Sequence, residues 1–421
     1  MIGAQSFRQL QQLGPTVLRY FCSIALIGFA LDGGIYAVLL NLYLVRLGFG
    51  PEQIGLINAI GTLSFALMAL PAGALGQRWG SRRMLLVGLG GLVVGAVLLP
   101  LADLLPAPWQ LPWLAVTISV TYLSLAIYFV NTAPYLLELV SAAQRNSAFA
   151  LQTGLTSFAA FLGSLIGGVL PPLFGTLLRV SAEQTAPYRY ALVFAGLSLL
   201  PALVALRRPP PVVVPLVDQP VAPDARAPDS MLRPLLGLLA LIALVRVLQV
   251  SGTAVTNTFF NVYLDGALLL PSAQIGAIIA AGRLLGVPAA LATAALTRRF
   301  GNRAVVIGAS LGTALSILPL ALIPHWGAAG IGFIGVVGLS WIRYAASLVF
   351  FLELVPPNRR ATVSGVTEMA AGVCFTLLTF GGGYIIALLG YQTLFLGGAA
   401  ITALSAAVFW WCFRNRKAYG E

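Results

Sequence analysis

Apolar residues run along this chain in blocks too long for the core helices of a water-soluble fold. A helix needs roughly 20 mostly apolar residues to cross ~30 Å of hydrocarbon. Windows of that kind fall at about 18–46, 53–76, 84–102, 112–137, 147–171, 188–206, 234–263, 273–296, 304–323, 328–352, 361–386 and 391–413, and they predict twelve membrane spans. None alternates with the ten-residue period of a membrane barrel. Backbone groups in lipid must also be satisfied within their own segment, so the spans are read as helices. The first window runs well past the 7–15 apolar residues of a signal peptide and continues into a hairpin, so it is read as a retained span.

One polar stretch breaks the pattern. Residues 207–233 are proline-rich and too interrupted to span, and they read as a cytoplasmic linker between two six-helix halves, 1–206 and 234–421. The halves repeat each other. Asn41-Leu-Tyr-Leu with Pro51-Glu-Gln-Ile-Gly recurs as Asn261-Val-Tyr-Leu with Pro271-Ser-Ala-Gln-Ile-Gly. Gly73-Ala-Leu-Gly-Gln-Arg-Trp-Gly-Ser-Arg recurs as Ala294-Ala-Leu-Thr-Arg-Arg-Phe-Gly-Asn-Arg, and Glu138-Leu-Val with Arg145 recurs as Glu353-Leu-Val with Arg360. Two parallel six-helix repeats form a substrate site between the halves near the midplane.

Composition agrees and removes other classes. Of 421 residues 59% are hydrophobic and 9% charged, against about 25% charged in soluble proteins. The mean hydropathy is +0.93. The net charge of +12, from 24 basic and 12 acidic residues, would suggest nucleic acid in a soluble protein. Its placement suggests topology instead. With a cytoplasmic N-terminus, the inner segments carry Arg8, Arg19, Arg78, Arg82, Arg83, Arg145, Arg207, Arg208, Arg226, Arg233, Arg298, Arg299, Arg303, Arg359, Arg360, Arg414, Arg416 and Lys417, and the outer ones only Arg46, Arg179 and Arg189. That bias predicts both termini inside, in the cytoplasmic (inner) membrane, and no nucleic-acid partner. Cys22, Cys374 and Cys412 lie in apolar stretches, so neither disulfides nor a metal site is expected. His325 follows Pro324 in an outer loop and is assigned no role; Trp410 and Trp411 fit an interfacial belt.

The loop after the second span resembles that of the major facilitator superfamily, which has G-x-x-x-D-R/K-x-G-R-R/K-R/K there. Gly73, Arg78, Gly80, Arg82 and Arg83 match, while Gln77 stands in place of the acid and Ser81 in place of a frequent base. The resemblance covers essentially the whole chain. It implies an all-α integral membrane fold of two pseudo-symmetric six-helix bundles and a secondary transporter working by alternating access, usually as a monomer. It also implies a cytoplasmic gate, here Gly73, Gln77, Arg78, Gly80 and Arg82 with Arg299, Gly301 and Arg303 as their repeats. The family acid pairs across the halves; Gln77 can hydrogen-bond but not ion-pair. A glycine motif typical of antiporters is half present in the fifth span as Gly154, Gly163 and Gly167, followed by Gly168 and Pro171-Pro172. Small residues there also suit close helix packing. The arginine that proton-coupled members often carry in the fourth span is absent, and Tyr128 and Asn131 occupy that span.

Charges deep in the spans are the candidate chemistry, since each costs at least ~2.5–3.5 kcal/mol unless paired or hydrated. They are Asp32, Arg246, Arg283, Arg343 and Glu368. Arg246, Gln249, Thr253 and Asn257 fall on one helical face, as do Ser340, Arg343 and Ser347. The fourth span adds Ser124, Tyr128, Asn131 and Tyr135, and the first adds Tyr36 and Tyr43. Three arginines less two carboxylates leave one positive charge, which an anionic substrate group would balance; the guanidinium fork binds carboxylate or phosphate bidentately. Expected substrate contacts are Arg246, Arg283, Arg343, Gln249, Asn257, Asn131, Tyr128 and Tyr36. The competing reading locks Arg283 and Arg343 in ion pairs with Asp32 and Glu368. Asp32 is the expected proton carrier and Glu368 the second candidate, because desolvation and a nearby arginine act on a carboxyl in opposite directions. Glu138 and Glu353, at inner helix ends, suit gate or loop contacts.

No G-x-x-x-x-G-K-[ST] loop appears, so ATP hydrolysis is not expected, and no cofactor is implied. The expected function is proton-coupled movement of a small organic, anionic solute. An exporter of lipophilic drugs or lipid-like molecules is the alternative within transporters. An integral-membrane enzyme would need a nucleophile–base pair, metal ligands or an acid dyad at workable spacing, and a sensor an added soluble domain; the sequence offers neither.

Overall fold

The computed structural model describes residues 15–141, 144–207, 229–356 and 359–414. Most of the expected linker, together with Arg8, Arg208, Arg226, Arg416 and Lys417, lies outside them, as does the side chain of Arg233. Among the described residues every regular element is helical. In chain order they are α1 (Pro15–Ala30), α2 (Ile35–Arg46), α3 (Pro51–Trp79), α4 (Ser81–Leu98) running into a 3₁₀ turn (Leu99–Leu104), α5 (Ala107–Leu139), α6 (Arg145–Leu178), α7 (Thr185–Leu197), α8 (Leu200–Arg207), α9 (Asp229–Gly266), α10 (Ser272–Leu284), α11 (Gly286–Leu322), α12 (Trp326–Glu353) and α13 (Arg360–Phe413). Large apolar side chains such as Leu67, Leu70, Val116, Leu177, Ile331 and Leu388 stand exposed on helix surfaces, as a lipid-facing protein requires.

Ten segments among the described residues are long and apolar enough to cross a membrane. The twelve expected windows fall on ten because two pairs of them share an element. The window 273–296 is divided between α10 and α11, and α11 continues through the next window past a non-helical Gly301 (φ 78, ψ 156). The last two windows share α13, whose 54 residues are interrupted at Gly390 (φ 82, ψ 169). Unbroken, α13 would reach about 80 Å, far beyond one ~30 Å hydrocarbon core. Gly80 (φ 88) and Gly301 (φ 78) occupy equivalent places in the repeat, and both take the left-handed φ that favours glycine.

Two compact units are present, one within Met1–Val213 and Phe259–Val287, the other within Val214–Thr258 and Pro288–Glu421. In the first unit, prolines set up hydrogen bonds between helices. Pro172 has no N–H, so the carbonyl of Gly168 one turn earlier lacks a helical partner, and Ser272 Oγ of α10 donates to it at 2.9 Å. Pro100 frees the carbonyl of Ala96 likewise, and Tyr36 Oη donates to it. Three of the fifth-span glycines are packing sites: a methyl at Gly163 would strike the Phe29 carbonyl, one at Gly167 would meet Ile35, and one at Gly168 would lie 2.6 Å from the Ser272 carbonyl oxygen. On the facing helix, a methyl at Gly276 would lie 2.6 Å from the Ser164 oxygen. Close backbone approach thus accounts for Gly163, Gly167 and Gly168, whereas a methyl at Gly154 would meet nothing within 4 Å.

In the second unit Phe350 and Phe351 of α12 pack against Phe409 and Phe413 of α13 with ring centroids 5.1–6.2 Å apart, which anchors the helix bearing Arg343. His325 has a structural task that its sequence position did not reveal. It is the N-cap of α12, its Nδ1 accepting the Gly327 N–H at 3.1 Å.

Candidate functional site

In the second unit α9 and α12 bring their polar stripes together. Arg343, 2% exposed, donates from Nη2 to Thr253 Oγ1 at 2.9 Å and to Ser340 Oγ at 3.3 Å, and the two hydroxyls lie 2.7 Å apart. Its Nε and Nη1 have no hydrogen-bond partner. Among the described residues no carboxylate lies within 4.0 Å of it. Arg246, 7% exposed, lies 5.0 Å from the centre of the Tyr344 ring, a cation–π contact. Tyr344 donates to Glu368 Oε1 at 3.0 Å, and exposed Glu368 attracts Arg246 without closing to a salt bridge. Gln249 is wholly buried with neither amide atom partnered, and the buried Ser347 hydroxyl is also unpartnered. Asn257, farther along α9, is exposed. The locked pairing of Arg343 with an acid is therefore not what the geometry displays.

Asp32 and Arg283 belong to the first unit. The helix of the first span breaks between α1 and α2, with Gly33 at φ 85. The N–H of Asp32 reaches back to the Ile27 carbonyl at 2.9 Å, and Ser164 Oγ donates to the Gly33 carbonyl at 2.5 Å. The Arg283 guanidinium lies along Gly33, where a methyl would sit 2.9 Å from its Nε. Asp32 is exposed and attracted by Arg283, again beyond salt-bridge distance. Tyr122 of α5 also interacts electrostatically with Asp32, and sequence pattern did not single it out.

Three other expected contacts tie helices together instead of facing open space. Tyr36 holds Ala96, as above. Tyr128, fully buried, shares a 2.7 Å hydrogen bond with Ser23, and Asn131 donates from Nδ2 to the carbonyls of Ala72 (3.2 Å) and Ile127 (2.8 Å).

The loop-motif arginines act within each unit. Arg82 donates to the carbonyls of Leu206 and Arg207 at 3.0 and 2.9 Å, which would otherwise look to Pro210 and Pro211, residues without an N–H. Arg303, its repeat, donates to the Arg414 carbonyl at 2.8 Å. Each places a cation on a helix C-terminus, where the dipole favours it. Glu138 accepts a hydrogen bond from Ser81, and Glu353 is approached by Asn302 at 3.4 Å, so the repeat is kept there too. Gly73 is half-buried, Gln77 and Arg78 are exposed, and Arg299 lies over the Phe300 ring at 5.1 Å.

At the opposite helix ends lies a cluster of charges that hydropathy does not reveal. Arg46, last residue of α2, makes two parallel hydrogen bonds to Asp265 near the end of α9, at 2.8 and 2.7 Å, and meets Glu183 at 2.8 Å. Asp265 is buried and Glu183 exposed. Deeper in, Asn41 donates to Asn261, its own counterpart in the repeat, at 3.4 Å, and Asn261 donates to the Val38 carbonyl at 3.0 Å. A second pair, Arg189 with Asp103, closes at 2.8 Å. The signal available in sequence was position: Arg46 and Asp265 each follow the repeated Asn-x-Tyr-Leu block.

The pattern of the Major Facilitator Superfamily matches residues 22–377 and 242–421. The chain belongs to the major facilitator superfamily. It is an integral membrane protein with the fold of a transporter rather than an enzyme. No curated protein matches this superfamily member by sequence. Similar solved structures include the nucleoside transporter NupG, at 15% identity and TM-score 0.72 over 94% of this chain and 100% of that one. The inward-open xylose transporter XylE from E. coli matches at 14% and 0.72 over 96% and 97%. A bacterial homolog of the human lysosomal transporter Spinster, inward-facing and occupied, matches at 14% and 0.71 over 97% of each chain. At such identities the likeness concerns the fold.

Proposed function

We propose that this superfamily member is a secondary active transporter that moves a small organic anion across the cytoplasmic membrane by alternating access, coupled to protons through Asp32. The observation that carries the reading is Arg343, a guanidinium 2% exposed, held in place by two hydroxyls and with no carboxylate within 4.0 Å among the described residues. Leaving such a charge bare costs several kcal/mol. An arrangement that retains it gains if a carboxylate or phosphate takes Nε and Nη1 in two parallel hydrogen bonds. Arg246 and Gln249 complete the binding face from α9. The exposure of Asp32 at a helix break, with Arg283 near, supports its exchanging a proton with water. The Arg46–Asp265 cluster then marks the outer ends of the helices, both termini lie inside, and the carrier works as a monomer.

A thermal-shift screen of carboxylates, phosphates and neutral solutes tests the site. Stabilisation by an anion that vanishes in Arg343→Gln is expected, and stabilisation of both proteins alike would reject it. Coupling is tested separately. Asp32→Asn is expected to abolish accumulation driven by a pH gradient while exchange of solute at equal pH continues; intact accumulation would move the role away from Asp32.

A further inference from the structure

A second feature of the same unit goes beyond transport of an organic anion, though it shares Arg246 with the proposed solute face. Arg246, Tyr344, Ser347, Leu348, Phe351 and Thr367 line a small recess with a cavity volume of about 10 Å³. About 10–15 Å³ is the least that holds one water, so this one suits a single small occupant. Two of its lining groups are buried and unpartnered, the Arg246 Nε–H and the Ser347 hydroxyl. The remaining polar groups are engaged: Thr367 donates to the Ser364 carbonyl at 2.7 Å and Tyr344 to Glu368 at 3.0 Å.

We propose that this recess binds a halide-sized inorganic anion, chloride in the cell, between Arg246 and Ser347. Three considerations favour an anion over water. The guanidinium N–H only donates, and a hydroxyl can turn to donate as well, whereas a water molecule must also place its own protons. Leu348 and Phe351 form an apolar wall, which suits a weakly hydrated monatomic ion better than a water seeking 2–4 polar partners. Charge agrees: Arg246 and Arg343 repel each other, and an anion beside Arg246 relieves that repulsion. Arg343 does not line the recess, so its free Nε and Nη1 remain for an organic solute while the halide sits beside Arg246.

The test uses the full-length purified protein. Crystals grown in sodium bromide should give an anomalous peak in contact with Arg246 and Ser347. Melting curves at constant ionic strength should rise along a saturable curve as chloride replaces methanesulfonate, which is too large for the recess. Ser347→Ala removes one donor and leaves space, and it should weaken apparent halide affinity about 10-fold or more, the equivalent of a hydrogen bond to a charged group. Ser347→Val fills the recess and should remove the effect. A bromide peak elsewhere, no peak, or an equal halide response in all three proteins would overturn the assignment.

Discussion

Arg343→Leu is expected to melt at a higher temperature than the unmutated protein and to have lost transport by about 100-fold. Removing a buried charge is usually costly because its partner is stranded, but among the described residues Arg343 has no carboxylate partner within 4.0 Å to strand. What it leaves behind are the Thr253 and Ser340 hydroxyls, which already bond each other at 2.7 Å. Apolar replacement of a buried ionic group of similar volume stabilises by about 1–4 kcal/mol in favourable cases. Loss of hydrogen bonds between a guanidinium and an anion costs ~1.5–3 kcal/mol each, and two such bonds account for the loss of transport. Thermal melting and uptake into proteoliposomes check the two halves of the prediction. A fall in both would mean that the guanidinium serves the fold.

The second large effect lies at the other end of the helices. Asp265→Asn strands Arg46 against Glu183, an exposed carboxylate that solvent screens. Breaking a buried pair from one side costs about 3–5 kcal/mol, which is a factor of at least 100 in any equilibrium the pair biases. In the alternating-access reading that equilibrium is opening of the outer ends. The variant should therefore raise the labelling of a cysteine at the buried position Val38 by an impermeant maleimide about 100-fold, in a background lacking the three native cysteines. Exchanging the charges (Arg46→Asp with Asp265→Arg) should recover most of the protection. Unchanged labelling in the single variant would show that Asn41, Asn261 and the Gly168–Gly276 approach hold this end closed unaided.

Much of the fold was legible because its signals are one-dimensional. The length of apolar windows and the 221-residue recurrence of the Gly80 loop needed no tertiary knowledge, and Gly80 and Gly301 do share a left-handed turn. Where windows merged, as in α13, hydropathy marks two apolar windows that one helical element joins across a non-helical Gly390. The candidate site was harder, because periodicity says which residues share a helix face but not what the face meets. It grouped Arg246, Gln249, Thr253 and Asn257 on one face of α9, of which Thr253 meets Ser340 and Arg343 while Asn257 stands exposed. It gave no warning that Tyr36 and Asn131 would be taken up by backbone carbonyls of neighbouring helices, nor that Arg82 would cap α8. Those partners are set by prolines and helix ends many residues away. The Arg46–Asp265 pair was hidden for the same reason: its members lie 219 positions apart and each reads alone as an ordinary loop charge.

Under the proposed function, the buried guanidiniums of the second unit recognise negative charge on the solute. Proteoliposome flux of a carboxylate selected by thermal shift, measured beside its uncharged carboxamide, tests it most directly. The acid is expected to be carried and the amide not, and Arg343→Gln is expected to erase the difference by losing the acid. Equal flux of acid and amide through the unmutated protein would contradict it.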